Sequence, residues 1–290
     1  MPILFSRSAA LLILSAIFPG VAFTAANSSL AIVDAGVEQA EDAPFVPPDY
    51  QFLPGDSVFF TFQIAGFGVQ SQDSDEVRRI SLTFEITAQD ARGVALAAPN
   101  SGVIRVDLNP EDKNWMPKRE TAFMLPTVVS AGEYRIHVVV KDLFAKTEVT
   151  KDFPFRIGGI TITAASAITV EHFRFLREED DREPLQVAAY RPGDTVYIRF
   201  EMVGQKVGPE NRYRLTYALT VLRPNGKPFL EEPKAADLDA TSFYPAPFIP
   251  GNFSVTTSPD TPRGEYVVVL NVRDLLGNQT CQAKQAFSIE

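Results

Sequence analysis

Tyr190-Arg191-Pro192-Gly193-Asp194-Thr195-Val196-Tyr197-Ile198-Arg199-Phe200 has a near copy earlier in the chain, Phe52-Leu53-Pro54-Gly55-Asp56-Ser57-Val58-Phe59-Phe60-Thr61-Phe62, 138 residues before it. Proline presets φ near −65° and glycine accepts positive φ, so Pro-Gly fits the centre of a type II turn. After the turn the pattern alternates. Val196, Ile198, Phe200 and Met202 fall on one face, with Thr195, Tyr197, Arg199 and Glu201 on the other. The earlier copy places Val58, Phe60, Phe62 and Ile64 on the matching face. A period of two sustained over this length predicts a half-buried strand in each copy.

The repeat extends in both directions. Before the turns, Leu30-Ala31-Ile32-Val33 and Ile168-Thr169-Val170 are short candidate strands, each followed by an acidic loop. Beyond them, Leu82, Phe84 and Ile86 alternate toward the turn Asp90-Ala91-Arg92-Gly93. Leu215, Tyr217 and Leu219 do the same toward Arg223-Pro224-Asn225-Gly226. The first repeat carries a longer polar insert, Gln70 to Arg79, read as a surface loop. A third matching block runs Gly132-Glu133-Tyr134 to Asp142 and Gly264-Glu265-Tyr266 to Asp274, and each repeat closes on a last strand, Phe155-Arg156-Ile157 and Phe287-Ser288-Ile289. Each repeat therefore holds about seven or eight strands with no useful helical period, an all-β sandwich pattern. The expected division is a leader at 1–26, one sandwich at 27–158 and a second at 159–290, meeting near Gly158-Gly159 through a short linker that brings the two into contact.

The segments Tyr190 to Val196, Arg223 to Lys227, Arg263-Gly264-Glu265-Tyr266 and Phe287-Ser288-Ile289 resemble macroglobulin-type and bacterial immunoglobulin-like domains. The resemblance covers nearly all of the second repeat and, more loosely, the first. It implies two tandem antiparallel immunoglobulin-like sandwiches, with Tyr134 and Tyr266 at the tyrosine-corner position. It also implies a stacking or adhesive module. Macroglobulins proper carry a reactive thioester and a bait region. The one cysteine here, Cys281, lies in an expected final strand, so protease trapping is not carried over.

Composition narrows the partners. The chain has 290 residues, a formal charge of −9 and no basic stripe. Nucleic acid is therefore not an expected partner, because phosphate neutralisation dominates that affinity. Arg7, the apolar run from Ala9 to Phe23 and small residues at Ala22, Ala25 and Ala26 have the layout of a secretory leader. The run is about 15 residues, shorter than the ~20 of a spanning helix, so a membrane association is expected only if the leader stays uncleaved. A single cysteine forbids an internal disulfide, which suits the periplasm, cell surface or medium of a bacterium.

Candidate sites are few. His137 and His172 read as surface histidines, and two histidines and one cysteine on separate strands do not make a zinc site. No nucleophile-elbow, zincin or phosphate-loop motif is present, so no enzymatic activity is expected. Cys281 shares parity with Phe287 and Ile289 and is expected to be a buried, inert thiol. The acidic loops recur: Glu178, Glu179, Asp180, Asp181 and Glu183 in one repeat, Glu38, Glu41 and Asp42 in the other. Clustered carboxylates can provide the hard oxygens calcium needs, so Glu178, Glu179, Asp180 and Asp181 form a candidate calcium loop, opposed by the reading of a solvated loop. Asp73, Asp75 and Glu76 in the insert form a second acidic group. Trp115, Tyr244 and Phe248, in proline-bearing loops, are candidates for a partner- or sugar-stacking surface. The alternative is that they cap each sandwich or fill the interdomain contact. The functional expectation is an exported, non-catalytic binding or structural module with a protein or polysaccharide partner of the cell envelope. A carbohydrate- or peptide-binding accessory protein comes second, favoured by exposed Trp115 and Tyr244, and a chaperone acting by strand addition comes third.

Overall fold

The computed structural model describes residues 29–72, 75–109 and 111–290, and gives the backbone alone at 71–72 and 75–77. The expected leader at 1–26 and Asp73 lie outside the described residues, as do the side chains of Asp75 and Glu76. Among the described residues no helix is long and apolar enough to cross a membrane.

The first sandwich contains β1 (Ala31–Glu38), β2 (Gln51–Phe52), β3 (Ser57–Ala65), β4 (Gln70–Gln72), β5 (Asp75–Gln89), β6 (Asn100–Leu108), β7 (Lys118–Met124), β8 (Gly132–Asp142) and β9 (Thr147–Ile157). Its sheets are β1-β3-β7 and β2-β9-β8-β5-β4, with β6 also on β5. The second contains β10 (Thr169–Leu176), β11 (Ala189–Tyr190), β12 (Thr195–Val203), β13 (Tyr213–Leu222), β14 (Pro228–Ala240), β15 (Phe248–Thr256), β16 (Gly264–Asp274) and β17 (Gln279–Ile289). Its sheets are β10-β12-β15 and β11-β17-β16-β13-β14. Pairing is antiparallel except for β2 on β9 and β11 on β17.

The Pro-Gly turns behave as their residues require. Gly55 and Gly193 have φ of 88° and 97°, which a Cβ would disfavour. The following aspartate closes each turn twice: the Asp56 and Asp194 amides donate to the carbonyls of Leu53 and Arg191, and their carboxylates accept the Leu53 and Arg191 amides at 2.7 and 2.8 Å. The strands that follow bury Val58, Phe60, Phe62 and Ile64 in one core and Val196, Ile198, Phe200 and Met202 in the other. Both tyrosine corners are present. The Tyr134 hydroxyl donates to the Ser130 carbonyl at 2.7 Å, and Tyr266 to Pro262 at 2.8 Å.

Two expectations need correction. The described residues of the insert at 70–79 form a ladder and not a loop: β4 pairs with the first residues of a long β5. Glu38 is not part of an acidic loop either. It ends β1 opposite Phe59 and is buried, because β1 continues through a bulge between Val33 and Gly36. The second repeat has the same bulge between Glu171 and Arg174, so the short strand expected at 168–170 runs on to Leu176.

Candidate functional surfaces

Tyr244 lies between β14 and β15, in a loop fixed by the Asn211 side-chain amide, which donates to the carbonyls of Ser242 and Phe243 at 3.1 and 2.6 Å. The ring is turned out of its own sandwich and into the other. Tyr244 is 7% exposed and packs with the core of the first sandwich. Its hydroxyl donates to Asp90 Oδ2 at 3.2 Å. Asp90 is shaped to receive it. Oδ1 accepts the amides of Arg92 and Val94, both at 2.9 Å, and the Arg92 guanidinium holds Oδ2 at 3.0 and 3.2 Å. Burial works against the Asp90 charge, but these donors outweigh it and hold its carboxyl below the usual range. Burial and the neighbouring Asp90 carboxylate push the Tyr244 phenol up, so it stays a donor. The linker adds to this seam. Ala131 donates to the Ile160 carbonyl at 2.8 Å, and Ile162 donates to Ser130 Oγ at 3.1 Å.

This geometry corrects the aromatic-surface expectation. Tyr244 and Phe248 are both buried, Phe248 because it starts β15 opposite Val203. Only Trp115 of the three is exposed, at 37%, in the turn before β7. The alternative reading, that the proline-rich segment fills the interdomain contact, describes Tyr244. The adjacent Phe243 remains 59% exposed.

The acidic loop after β10 is organised from within. Asp181 Oδ2 accepts the amides of Arg177 and Glu178 at 3.1 and 2.9 Å. Arg199, reaching from β12, donates to the carbonyls of Asp181, at 3.0 Å, and Glu179. The Arg199 guanidinium thus ties the loop backbone to β12. Glu178, Glu179 and Asp180 point to solvent. Among the described residues no three His, Cys, Asp or Glu side chains stand in a metal-holding group.

The histidines pair with carboxylates. His137 Nδ1 lies 2.6 Å from Asp152 on the neighbouring strand. His172 sits on the β10 bulge with φ of 47° and contacts Glu201 at 3.4 Å. Glu201, expected on an outward face, is 3% exposed. Arg174 and His172 close over it, with Arg174 donating to both carboxylate oxygens at 2.8 and 3.3 Å. Burial raises the Glu201 pKa, and Arg174 and His172 oppose that rise only in part. Sequence parity missed this cluster because it reads one strand, whereas the lid comes from the neighbouring bulge. Cys281 is half-buried against the second core, and burial raises its thiol pKa.

The second sandwich also has an open side. β14 and β15 are the free edges of its two sheets, and a cleft of about 510 Å³ lies between them. Nothing in the sequence pattern marked it, since its floor is ordinary core residues.

No protein-family model matches the chain, and no curated protein matches it. Solved structures similar to it include the C-terminal domain of AspA, a Streptococcus pyogenes antigen I/II-family protein. There the identity is 9% over 88% of this chain and 98% of that one, with a TM-score of 0.30. The C-terminal domain of the Streptococcus agalactiae antigen I/II polypeptide BspA is similar at 10% identity, over 88% and 99% of the two chains, with a TM-score of 0.27. Native E. coli alpha-2-macroglobulin matches at 12% identity over 91% of this chain and 17% of its own, with a TM-score of 0.28.

Proposed function

We propose that this chain is an exported, non-catalytic module in which two immunoglobulin-like sandwiches act as one binding or structural unit in the cell envelope. The observation that carries this reading is the seam. A loop aromatic of the second sandwich is inserted into the core of the first and anchored on a carboxylate that the first sandwich pre-arranges. Independent beads on a linker have no use for such a contact, whereas a unit presenting surfaces at a fixed relation does. Export is supported by the layout of residues 1–26. A peptide-binding role is the second reading, favoured by the open cleft between β14 and β15. A sugar platform is less well supported, since Trp115 stands without Tyr244 and Phe248 beside it.

The test uses the protein without residues 1–26, immobilised and challenged with envelope and medium fractions of its source, with and without calcium. Saturable retention of a protein or polysaccharide that weakens in Asp90→Ala supports a unit acting through both sandwiches. Retention indifferent to Asp90→Ala limits binding to one sandwich. No retention overturns the binding role and leaves a spacer. Calcium-dependent retention would support the acidic loop as a site.

A further inference from the structure

The seam joins unlike ends of the two sandwiches. The Tyr244 loop leads into β15, whose start pairs with the end of β12. The Asp90 turn follows β5, whose last residue, Gln89, pairs with Arg135 near the start of β8. In each sandwich these are opposite ends. The loop side is where β3 or β12 finishes. The turn side is where β9 or β17 finishes, beside the short strand that leads through the Pro-Gly turn into β3 or β12. One seam therefore uses one loop and one turn, and leaves a loop on the first sandwich and a turn on the second at the two poles of the chain.

The strand pairing identifies them. Lys118 opposite Gln63 matches Pro250 opposite Glu201, so Asp112 stands where Tyr244 does, six residues earlier in each case. Gln89 opposite Arg135 matches Leu222 opposite Val267, so Arg223 stands where Asp90 does. The two turns share their backbone bonds. The Asp90 and Arg223 amides donate to the carbonyls of Val94 and Lys227 at 3.0 and 2.8 Å, and the Gly93 and Gly226 amides donate back at 3.0 and 2.9 Å.

The side chains have exchanged polarity. In the seam the loop supplies the donor, Tyr244, and the turn the carboxylate, Asp90. At the poles the loop supplies the carboxylate, Asp112, and the turn the donor, Arg223. Asp112 uses Oδ2 to accept the Asn109 amide at 2.9 Å. Glu111 beside it is exposed, as is Trp115. The half-exposed Arg223 lies over the Phe229 ring at 4.8 Å. Pro224 sits against Gly264, which brings Arg263 and Glu265 to the same end. Among the described residues neither Arg223, Lys227 nor Arg263 has a carboxylate within ion-pair distance.

We infer that copies of this chain associate head to tail, the loop 111–117 of one docking on the Arg223–Gly226 turn of the next, with Asp112 paired to Arg223 and Trp115 inside the contact. The partner is a second copy because its pole repeats the loop that the seam already uses and carries the charge this turn lacks. The contact is heterologous, so each copy keeps a free pole for a further one. The inference rests on the reading of the two sandwiches as one unit and supplies that unit's partner.

The test is sedimentation velocity of the protein without residues 1–26 across a concentration series at low ionic strength. The average mass should rise with concentration and fall again with added salt. The emission of Trp115, the chain's only tryptophan, should move to shorter wavelength in step. Arg223→Glu and Asp112→Arg should each shift association to about tenfold higher concentration, the scale of one close charge pair turned repulsive, with little change in melting. An equimolar mixture of the two variants should recover association, because each altered end then faces its opposite charge. Arg223→Gln, which only removes the charge, should weaken association less and replaces the reversal if that variant does not fold. A monomer at every concentration, indifference to both reversals, a mixture no more associated than either variant alone, or growth without a change in Trp115 emission would each overturn the inference. If the chain stays monomeric while envelope fractions are still retained on it, this inference falls and the module reading stands.

Discussion

A single hydroxyl joins two cores at Tyr244. Tyr244→Phe keeps the ring and removes only the bond to Asp90, so it should cost about 1 kcal/mol in urea unfolding. Asp90→Asn tests the other partner and adds a pH signature. The Asp90 pKa is depressed in the folded state, so the stability it contributes is present above the ordinary carboxylate range, near ~3.9, and is lost as pH falls through the depressed value. Stability measured across that acid range should be flatter in Asp90→Asn than in the parent protein. Glu201 has the opposite sign. Its folded pKa is raised, chiefly by burial, so what it contributes is present below the ordinary Glu value and declines as pH rises through the raised one. Replacing Glu201 with Gln should flatten the pH dependence of stability between the ordinary Glu range and neutrality. An unchanged profile would mean that Arg174 neutralises Glu201 fully.

The first strand of each sandwich carries its bulge at the same place, and the bulge sets a backbone demand. His172 has φ of 47°, and Asp34, 138 residues earlier, has 44°. Left-handed backbone costs most residues about 1–2 kcal/mol, least for Gly and Asn and most for β-branched side chains. His172→Val should therefore lower the urea midpoint, while His172→Gly stays close to the parent despite losing its contact with Glu201. Equal destabilisation by both would point to the imidazole instead of the backbone. The bulge also marks how far the sequence could be read. The alternation after each Pro-Gly turn and the tyrosine corners depend on local periodicity and on residues four apart, and both were legible from the residues alone. The bulge was not, because an extra residue breaks the period of two and ends the visible strand at Val33 or Val170. The Glu201 cluster and the cleft were hidden for a related reason. Each is made of side chains from different strands, Arg174 with Glu201 and Phe229 with Phe253 across the cleft, and no pattern along one strand encodes that placement. Tyr244 was visible as an aromatic in a proline-rich loop, but the sequence offered both a surface and an interdomain role for it. Asp90, its partner 154 residues away, looked like any turn aspartate.

At the level of the molecule, the seam makes the second sandwich complete in one sense and incomplete in another. Its core residues from Ile168 to Ile289 pack largely among themselves, so residues 160–290 expressed alone should fold into a β domain. Tyr244, however, is buried by the first sandwich and not by its own. In the isolated half its ring would face water, and Phe243 beside it is exposed already. This separates two roles for one residue. In the whole chain, Tyr244→Ala should cost about 3 kcal/mol or more, since it removes a buried ring and leaves a cavity. In residues 160–290 alone, the same change should be near neutral and should raise solubility by removing an exposed aromatic. The comparison needs only thermal or urea unfolding of four proteins, the two lengths with and without the substitution. A similar loss in both lengths would mean that Tyr244 serves its own fold and that the seam is incidental. A loss confined to the full chain would make Tyr244 the coupling element, and the energy measured would be the coupling between the sandwiches. That coupling should then appear as a single unfolding transition in the parent chain that separates into two in Tyr244→Ala.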